Sequence, residues 1–177
     1  MQTIDVFDYI DVPEYFTGKV QMYDKVLDTS DPHQQVKYVK GPCNSIWWLK
    51  KGIVHNDDGP AKISFPTKWR KYKVVVYMQH GKLHREDGPA VVDECAEWWY
   101  FKGKLHRSGG PAFEYNKYNV KEWWCHDKRH NYDGPAKITA DGHKEYWIED
   151  EEVELETFEL LYMLKHRKVY QDNYGTL

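Results

Sequence analysis

The apolar residues of this chain return at a near-constant interval, always with the same polar frame behind them. WWLKKGIVHNDDGPA starts at Trp47, VYMQHGKLHREDGPA at Val76, WWYFKGKLHRSGGPA at Trp98 and EWWCHDKRHNYDGPA at Glu122. An aromatic group leads. A Gly or Asp follows, then a His three residues further on, then Gly-Pro-Ala. EYWIEDEEV, from Glu145, is an incomplete fifth copy that keeps the aromatics and lacks the His and the Gly-Pro-Ala. The repeat histidines His55, His84, His106 and His130 lie 29, 22 and 24 residues apart. Self-similarity at such a period marks a chain built by stacking one small unit.

Each unit reads as β structure. Strands start at the alanine of each Gly-Pro-Ala step. Asp141-Gly142 lies between two strand-like runs and predicts a hairpin turn, since both residues tolerate positive φ. Gly52, Gly81 and Gly103 predict a second tight turn, with Asp127 and Asp150 in the same place in later copies. Side chains of a strand alternate between faces. Alignment of the copies therefore gives two apolar columns on opposite faces: Trp48, Tyr77, Trp99, Trp123 and Tyr146, and Leu49, Met78, Tyr100, Trp124 and Trp147. One column is the core. The other is either covered by the chain ends or is a contact surface, and the mixed neighbouring positions do not choose between them.

At the Asp-Gly-Pro corner, the residue before Pro is pushed out of the α region and Gly eases the bend. The preceding Asp caps it with its own carboxylate, except in the third copy, where Gly109 stands in that place. Residues 1–45 carry no clear copy. Asp-Val-Pro and Asp-Pro turn signals and the aromatics Phe7, Tyr9, Tyr15, Phe16 and Tyr23 suggest an irregular cap with a strand or two. Residues 155–168 place Leu155, Phe158, Leu161, Tyr162 and Leu164 at helical spacing, with acids upstream and Lys165, Arg167 and Lys168 at the end, which complements a helix dipole. The expected fold is a mainly β single domain. It has a cap over 1–45, an array of stacked antiparallel β-hairpin repeats over 46–153, and a C-terminal helix and tail over 154–177.

Composition narrows the function. Net charge is −3, so no global basic field points to nucleic acid. The apolar content is rich in rings, with 8 Trp, 14 Tyr and 6 Phe, which suits a thin sheet because rings bury much area per residue. Mean hydropathy is −0.84. No apolar run approaches the roughly 20 residues of a membrane span, and the N-terminus has no apolar signal core. Cys43, Cys95 and Cys125 show no paired spacing, which fits free thiols in a reducing, cytoplasmic compartment.

The chemistry-bearing residues are repeated, whereas catalytic groups occur once in a cleft. No GxSxG, Walker, HExxH or GxGxxG context is present, so the chain is read as non-enzymatic, with no cofactor. No metal is expected at the repeat histidines either. Equivalent atoms in successive units lie roughly 10 Å apart if each unit adds two strands, too far to share a zinc ion with ligands about 2 Å away. His55, His84, His106 and His130 are read as structural, hydrogen-bonding to Asp58, Asp87 or Asp133 at the corner. The singular feature is an insertion, FPTKWRKYK, over residues 65–73. Lys68, Arg70, Lys71 and Lys73 surround Trp69 and Tyr72, and a basic tip with an aromatic anchor suits an acidic protein surface or a nucleic acid backbone. The acidic run 149–156 reads as a turn and helix N-terminus.

Trp98-Trp99-Tyr100-Phe101-Lys102-Gly103-Lys104-Leu105-His106-Arg107, followed by Gly109-Gly110-Pro111-Ala112, resembles a repeat of proteins of tailed phages and giant viruses. It is also distantly similar to MORN-type β-hairpin repeats, without the MORN glycine pattern. The resemblance covers residues 46–153, and the ending EYWIEDEEVELETFELL resembles the terminal half-repeat and helix of such proteins. It implies a stacked-hairpin architecture and a viral source, and no activity to carry over. The expected function is protein interaction through residues 68–73, as a phage accessory factor modulating a host protein in the host cytoplasm. Nucleic-acid binding by the same hairpin and MORN-like lipid binding are the alternatives.

Overall fold

The computed structural model describes residues 2–6, 16–27 and 38–174, without the side chains of 24–27, 38–42 and 167–174. The Asp11-Val12-Pro13 and Asp31-Pro32 turn signals and Phe7, Tyr9 and Tyr15 lie outside the described residues. So do the side chains of Arg167 and Lys168. The chain is mainly β, with many antiparallel strands in a mixed sheet and a single C-terminal helix. Two compact units divide it, Met1–Glu94 and Cys95–Leu177. Among the described residues no helix is long and apolar enough to cross a membrane.

The first unit contains β1 (Thr3–Val6), β2 (Gly18–Leu27), β3 (Tyr38–Lys50), β4 (Ile53–Val54), β5 (Lys62–Ser64), β6 (Val74–Val76), β7 (Met78–Gln79), β8 (Lys82–Leu83) and β9 (Val91–Val92). β1 runs parallel to β2, and β2-β3-β5-β6-β9 follow as antiparallel neighbours. β4 folds back on the end of β3, and β7 and β8 form a separate short hairpin. The core is small: Val6, Phe16, Val20 and Leu49 are buried, with Ile4, Met22 and Trp47 packed against them.

The described part of the N-terminal region holds β1, β2 and the start of β3 where a strand or two was expected, and β3 begins well before the first repeat. Gly41-Pro42 hides this in the sequence, because Pro cannot donate to a ladder and reads as a strand break. The register of β2 and β3 shifts there, from Tyr23 opposite Cys43 to Lys25 opposite Lys40. The resulting bulge accommodates the proline without ending the strand.

The second unit contains β10 (Ala96–Trp98), β11 (Tyr100–Phe101), β12 (Lys104–Leu105), β13 (Phe113–Tyr115), β14 (Val120–Glu122), β15 (Trp124–Cys125), β16 (Lys128–Arg129), β17 (Lys137–Ile138), β18 (Lys144–Ile148), β19 (Glu151–Val153) and α1 (Leu155–Tyr174). β10-β13-β14-β17-β18-β19 form an antiparallel meander, with β11/β12 and β15/β16 as side hairpins. Asp141-Gly142 turns β17 into β18, as its sequence predicts. Helix α1 runs past the expected 155–168. Of its apolar positions Phe158 is buried, stacking on Tyr146 with ring centroids 4.6 Å apart, whereas Leu155, Tyr162 and Leu164 stay exposed.

The repeated phrase is one hydrogen-bonded unit. The N–H of the first-column aromatic donates to the alanine carbonyl of the same copy: Trp48 to Ala61, Tyr77 to Ala90, Trp99 to Ala112 and Trp123 to Ala136. The repeat His N–H then donates to the carbonyl of that aromatic, closing the side hairpin. Each hairpin tip is a type I′ turn, with both central residues left-handed: Lys51-Gly52, His80-Gly81, Lys102-Gly103, His126-Asp127 and Glu149-Asp150.

Both aromatic columns are half-buried. Of the ten column residues only Leu49 is buried. The four Gly-Pro-Ala alanines, by contrast, have no exposed surface. Several of the column rings are covered by arginines. The guanidinium carbon of Arg85 lies 4.1 Å from the Tyr77 ring centroid, and that of Arg107 lies 3.8 Å from Trp99. Arg129 lies 4.8 Å from both Trp124 and Trp147. Such contacts lay the planar guanidinium over the ring face.

Candidate functional site

The corners show what the repeat histidines do. His55 and His130 are placed on partners other than the expected Asp58 and Asp133. His55 Nδ1 accepts the backbone N–H of His80, in the next hairpin turn, at 3.0 Å, and its Nε2 stands 2.9 Å from Asp57 Oδ2. His130 Nδ1 accepts the N–H of Glu149 at 3.1 Å. His84 Nε2 is 3.6 Å from Glu86. His55 and His130 thus tie their own corners to the following turn, and the acid beside His55 and His84 is two residues on, not three. Burial, and secondarily the nearby His126, hold His106 below its ordinary value of 6.5.

The residue after each His, which the sequence reading passed over, closes the corner. Asn56, Arg85, Arg107 and Asn131 each donate to the proline carbonyl four residues on. Asp58 and Asp133 contribute backbone N–H groups to the Asn56 and Asn131 side chains. Asp87 takes Arg85 Nε at 2.9 Å, and the Asp133 carboxylate takes Lys165 of α1 at 2.7 Å. The glycine before Pro is where these side chains lie. A Cβ on Gly88 would stand 2.6 Å from Arg85 Cζ. Gly109, in place of the corner Asp, adopts a left-handed φ of 79°.

The insertion between β5 and β6 is the candidate contact. Ser64 pairs with Val74 at its base, and the Phe65 N–H donates to Asn44 O at 2.9 Å. Its tip is a hydrogen-bonded turn. Thr67 and Arg70 exchange backbone bonds, at 2.8 and 3.2 Å. The Thr67 hydroxyl oxygen also accepts the N–H groups of Trp69 and Arg70, at 3.2 and 3.1 Å. Arg70 Nη1 donates to Phe65 O at 3.4 Å.

This turn presents Trp69 with 87% of its surface exposed, the largest exposure among the exposed large apolar residues described. Lys68 Nζ stands 4.9 Å from the Trp69 ring centroid and Lys71 Nζ stands 5.0 Å from that of Tyr72. Lys68, Arg70, Lys71 and Lys73 are exposed, and Tyr72 is half-buried. Lys62, not singled out in the sequence, belongs to the same neighbourhood. Its Nζ lies 4.2 Å from the Trp47 ring centroid, and burial, with the charge of Arg70, holds it below its ordinary value of 10.5. Its position on β5, just before the insertion, was the available signal.

Among the described residues one group of donors is close enough to hold a metal ion: His106, Cys125 and His126, in the second unit. In comparisons with known proteins, no family model, no curated protein and no solved structure matched the chain.

Proposed function

We propose that this chain is a non-enzymatic protein-interaction module whose contact is the finger over residues 65–73, with stacked, MORN-like hairpin repeats as its scaffold. The observation that carries the reading is Trp69, a ring held out in water by a hydrogen-bonded turn and surrounded by cations. Leaving a Trp so exposed wastes its burial free energy unless a partner covers it, and Trp with Arg is the mixture enriched at interface hot spots. The tip is already ordered by Thr67, which lowers the entropy cost of binding. Four exposed cations favour an acidic protein surface. The resemblance to phage and giant-virus repeats makes a host protein the natural partner, met in the host cytoplasm.

The test is capture of partners from host lysate, followed by measured affinity for the recovered protein. Trp69→Ala with Arg70→Ala should weaken binding by roughly 2 kcal/mol, about 30-fold in Kd, and leave thermal stability nearly unchanged. Unchanged affinity refutes the finger. Nucleic-acid binding is the second reading, favoured by aromatic and basic residues interleaved on one loop. It requires affinity for single-stranded nucleic acid that falls steeply with salt. The acidic net charge opposes it.

A further inference from the structure

The geometry points to a zinc site made by His106, Cys125 and His126, within the second unit and independent of the finger. Two successive repeats meet there. His106 is a corner histidine, and His126 is the first central residue of the following hairpin turn. The spacing argument against metal compared corner histidines only with one another, and so missed turn residues that reach back to the preceding corner.

An equivalent apposition in the first unit shows what is special here. The rings of His55 and His80 have centroids 4.7 Å apart at 60°. His55 Nδ1 accepts the His80 N–H, and its buried Nε2 stands 2.9 Å from Asp57 Oδ2 without hydrogen-bond geometry. The residue before His80 is Gln79, which offers no thiol. In the later pair three things change together. Ser108 takes the place of Asp57, with its Oγ 3.4 Å from His106 Nε2. Cys125 takes the place of Gln79, with its Sγ 3.4 Å from His126 Nδ1. And His106 Nδ1 is buried with no hydrogen-bond partner, whereas His55 and His130 both use that atom as a backbone acceptor. One donor atom from each of the three residues lies within 4.8 Å of the others.

Two imidazoles and one thiolate are ligands that zinc takes and that calcium and magnesium do not. Zinc bonds of about 2.3 Å to sulfur and about 2.0 Å to nitrogen set tetrahedral ligand atoms roughly 3.3–3.8 Å apart. The Cys125–His126 pair already has that separation. The imidazoles are stacked, with centroids 4.1 Å apart and planes 22° from parallel, so their lone pairs do not yet converge. His126 is exposed on its turn, and tilting its ring off the stack aims both nitrogens at one ion. Binding releases the Cys125 thiol proton to water. Three protein ligands leave the fourth position to a water molecule, and the ion pins the β15/β16 turn to the preceding corner.

The full chain, purified reduced and metal-free, should bind one equivalent of Co2+ with a thiolate-to-cobalt charge-transfer band, and Zn2+ should displace it. Cys125→Ser should abolish the band. His126→Ala should lower Zn2+ affinity by roughly tenfold or more, at least the loss seen on removing an outer-shell partner. Cys43→Ser and Cys95→Ser should keep the band. Both site substitutions fall on a surface hairpin, and far-ultraviolet circular dichroism checks that the fold is retained. Absence of a band in the wild-type chain overturns the site, as does a band that survives Cys125→Ser or a Zn2+ affinity unchanged by His126→Ala.

Discussion

Gly59→Ala and Gly88→Ala are the same substitution at equivalent corners, and they should move stability in opposite directions. Both glycines lie outside the left-handed region, so Ala removes freedom from the unfolded chain. Where the site accepts it, that stabilises by about 0.4–1 kcal/mol. A Cβ on Gly59 would stand 3.6 Å from Asn56 Nδ2, an ordinary contact. Gly59→Ala should therefore be more stable than wild type by about 0.5 kcal/mol. A Cβ on Gly88 would stand 2.6 Å from Arg85 Cζ, 2.8 Å from Nε and 2.9 Å from Nη1, so the guanidinium must leave. It loses its stack on Tyr77, about 0.5–1 kcal/mol at a partly exposed site. It also loses the long bond to the Pro89 carbonyl, about 0.5 kcal/mol. The Asp87 contact lies in water and adds little. Set against the entropy gain, these losses leave Gly88→Ala about 0.5–1 kcal/mol below wild type. Urea denaturation midpoints at constant m-value read the difference. In an Arg85→Ala background the clash is gone, and Gly88→Ala should again stabilise. Equal effects at the two corners would refute the reasoning, because the glycine would then serve the backbone bend and not the side chain lying over it.

Two further outcomes follow from other parts of the unit. Lys137 Nζ donates to Glu145 Oε1 at 2.6 Å and Trp147 Nε1 to Oε2 at 3.0 Å, and the lysine bond is the main reason the Glu145 carboxyl lies below its ordinary 4.5. A depressed acid contributes stability that is present above its unfolded value and lost as the pH falls through its folded value. The urea-midpoint gap between wild type and Glu145→Gln should therefore be widest near neutral pH and shrink below pH 4.5, and a pH-independent gap refutes the pairing. Lys51 holds φ 53° at the first centre of its type I′ turn, a region costly to most side chains and easier for Asn. Lys51→Asn should raise stability by about 0.5–1 kcal/mol, read as a higher thermal midpoint, and a lower midpoint would show that Lys51 makes a compensating contact.

The β strands and their hairpin turns were legible in the sequence because their signals act locally. A type I′ turn needs left-handed residues at set offsets, and Gly52, Gly81, Gly103, Asp127 and Asp150 announce it. Asp141-Gly142 and the helical spacing around Phe158 are equally local signals. The insertion stood out because it interrupts a period. Long-range facts were not legible. Strand β3 was hidden because a bulge that tolerates Pro42 exists only once β2 is alongside. Which column is covered was not legible, because ring content says nothing about cover. Which cation lies on which ring, and that the corner alanines are fully buried, are decided by tertiary packing. The apposition of His106, Cys125 and His126 has the same origin. Residues about 20 apart meet because one hairpin turn reaches the corner before it, a tertiary contact that no local preference of the chain sets.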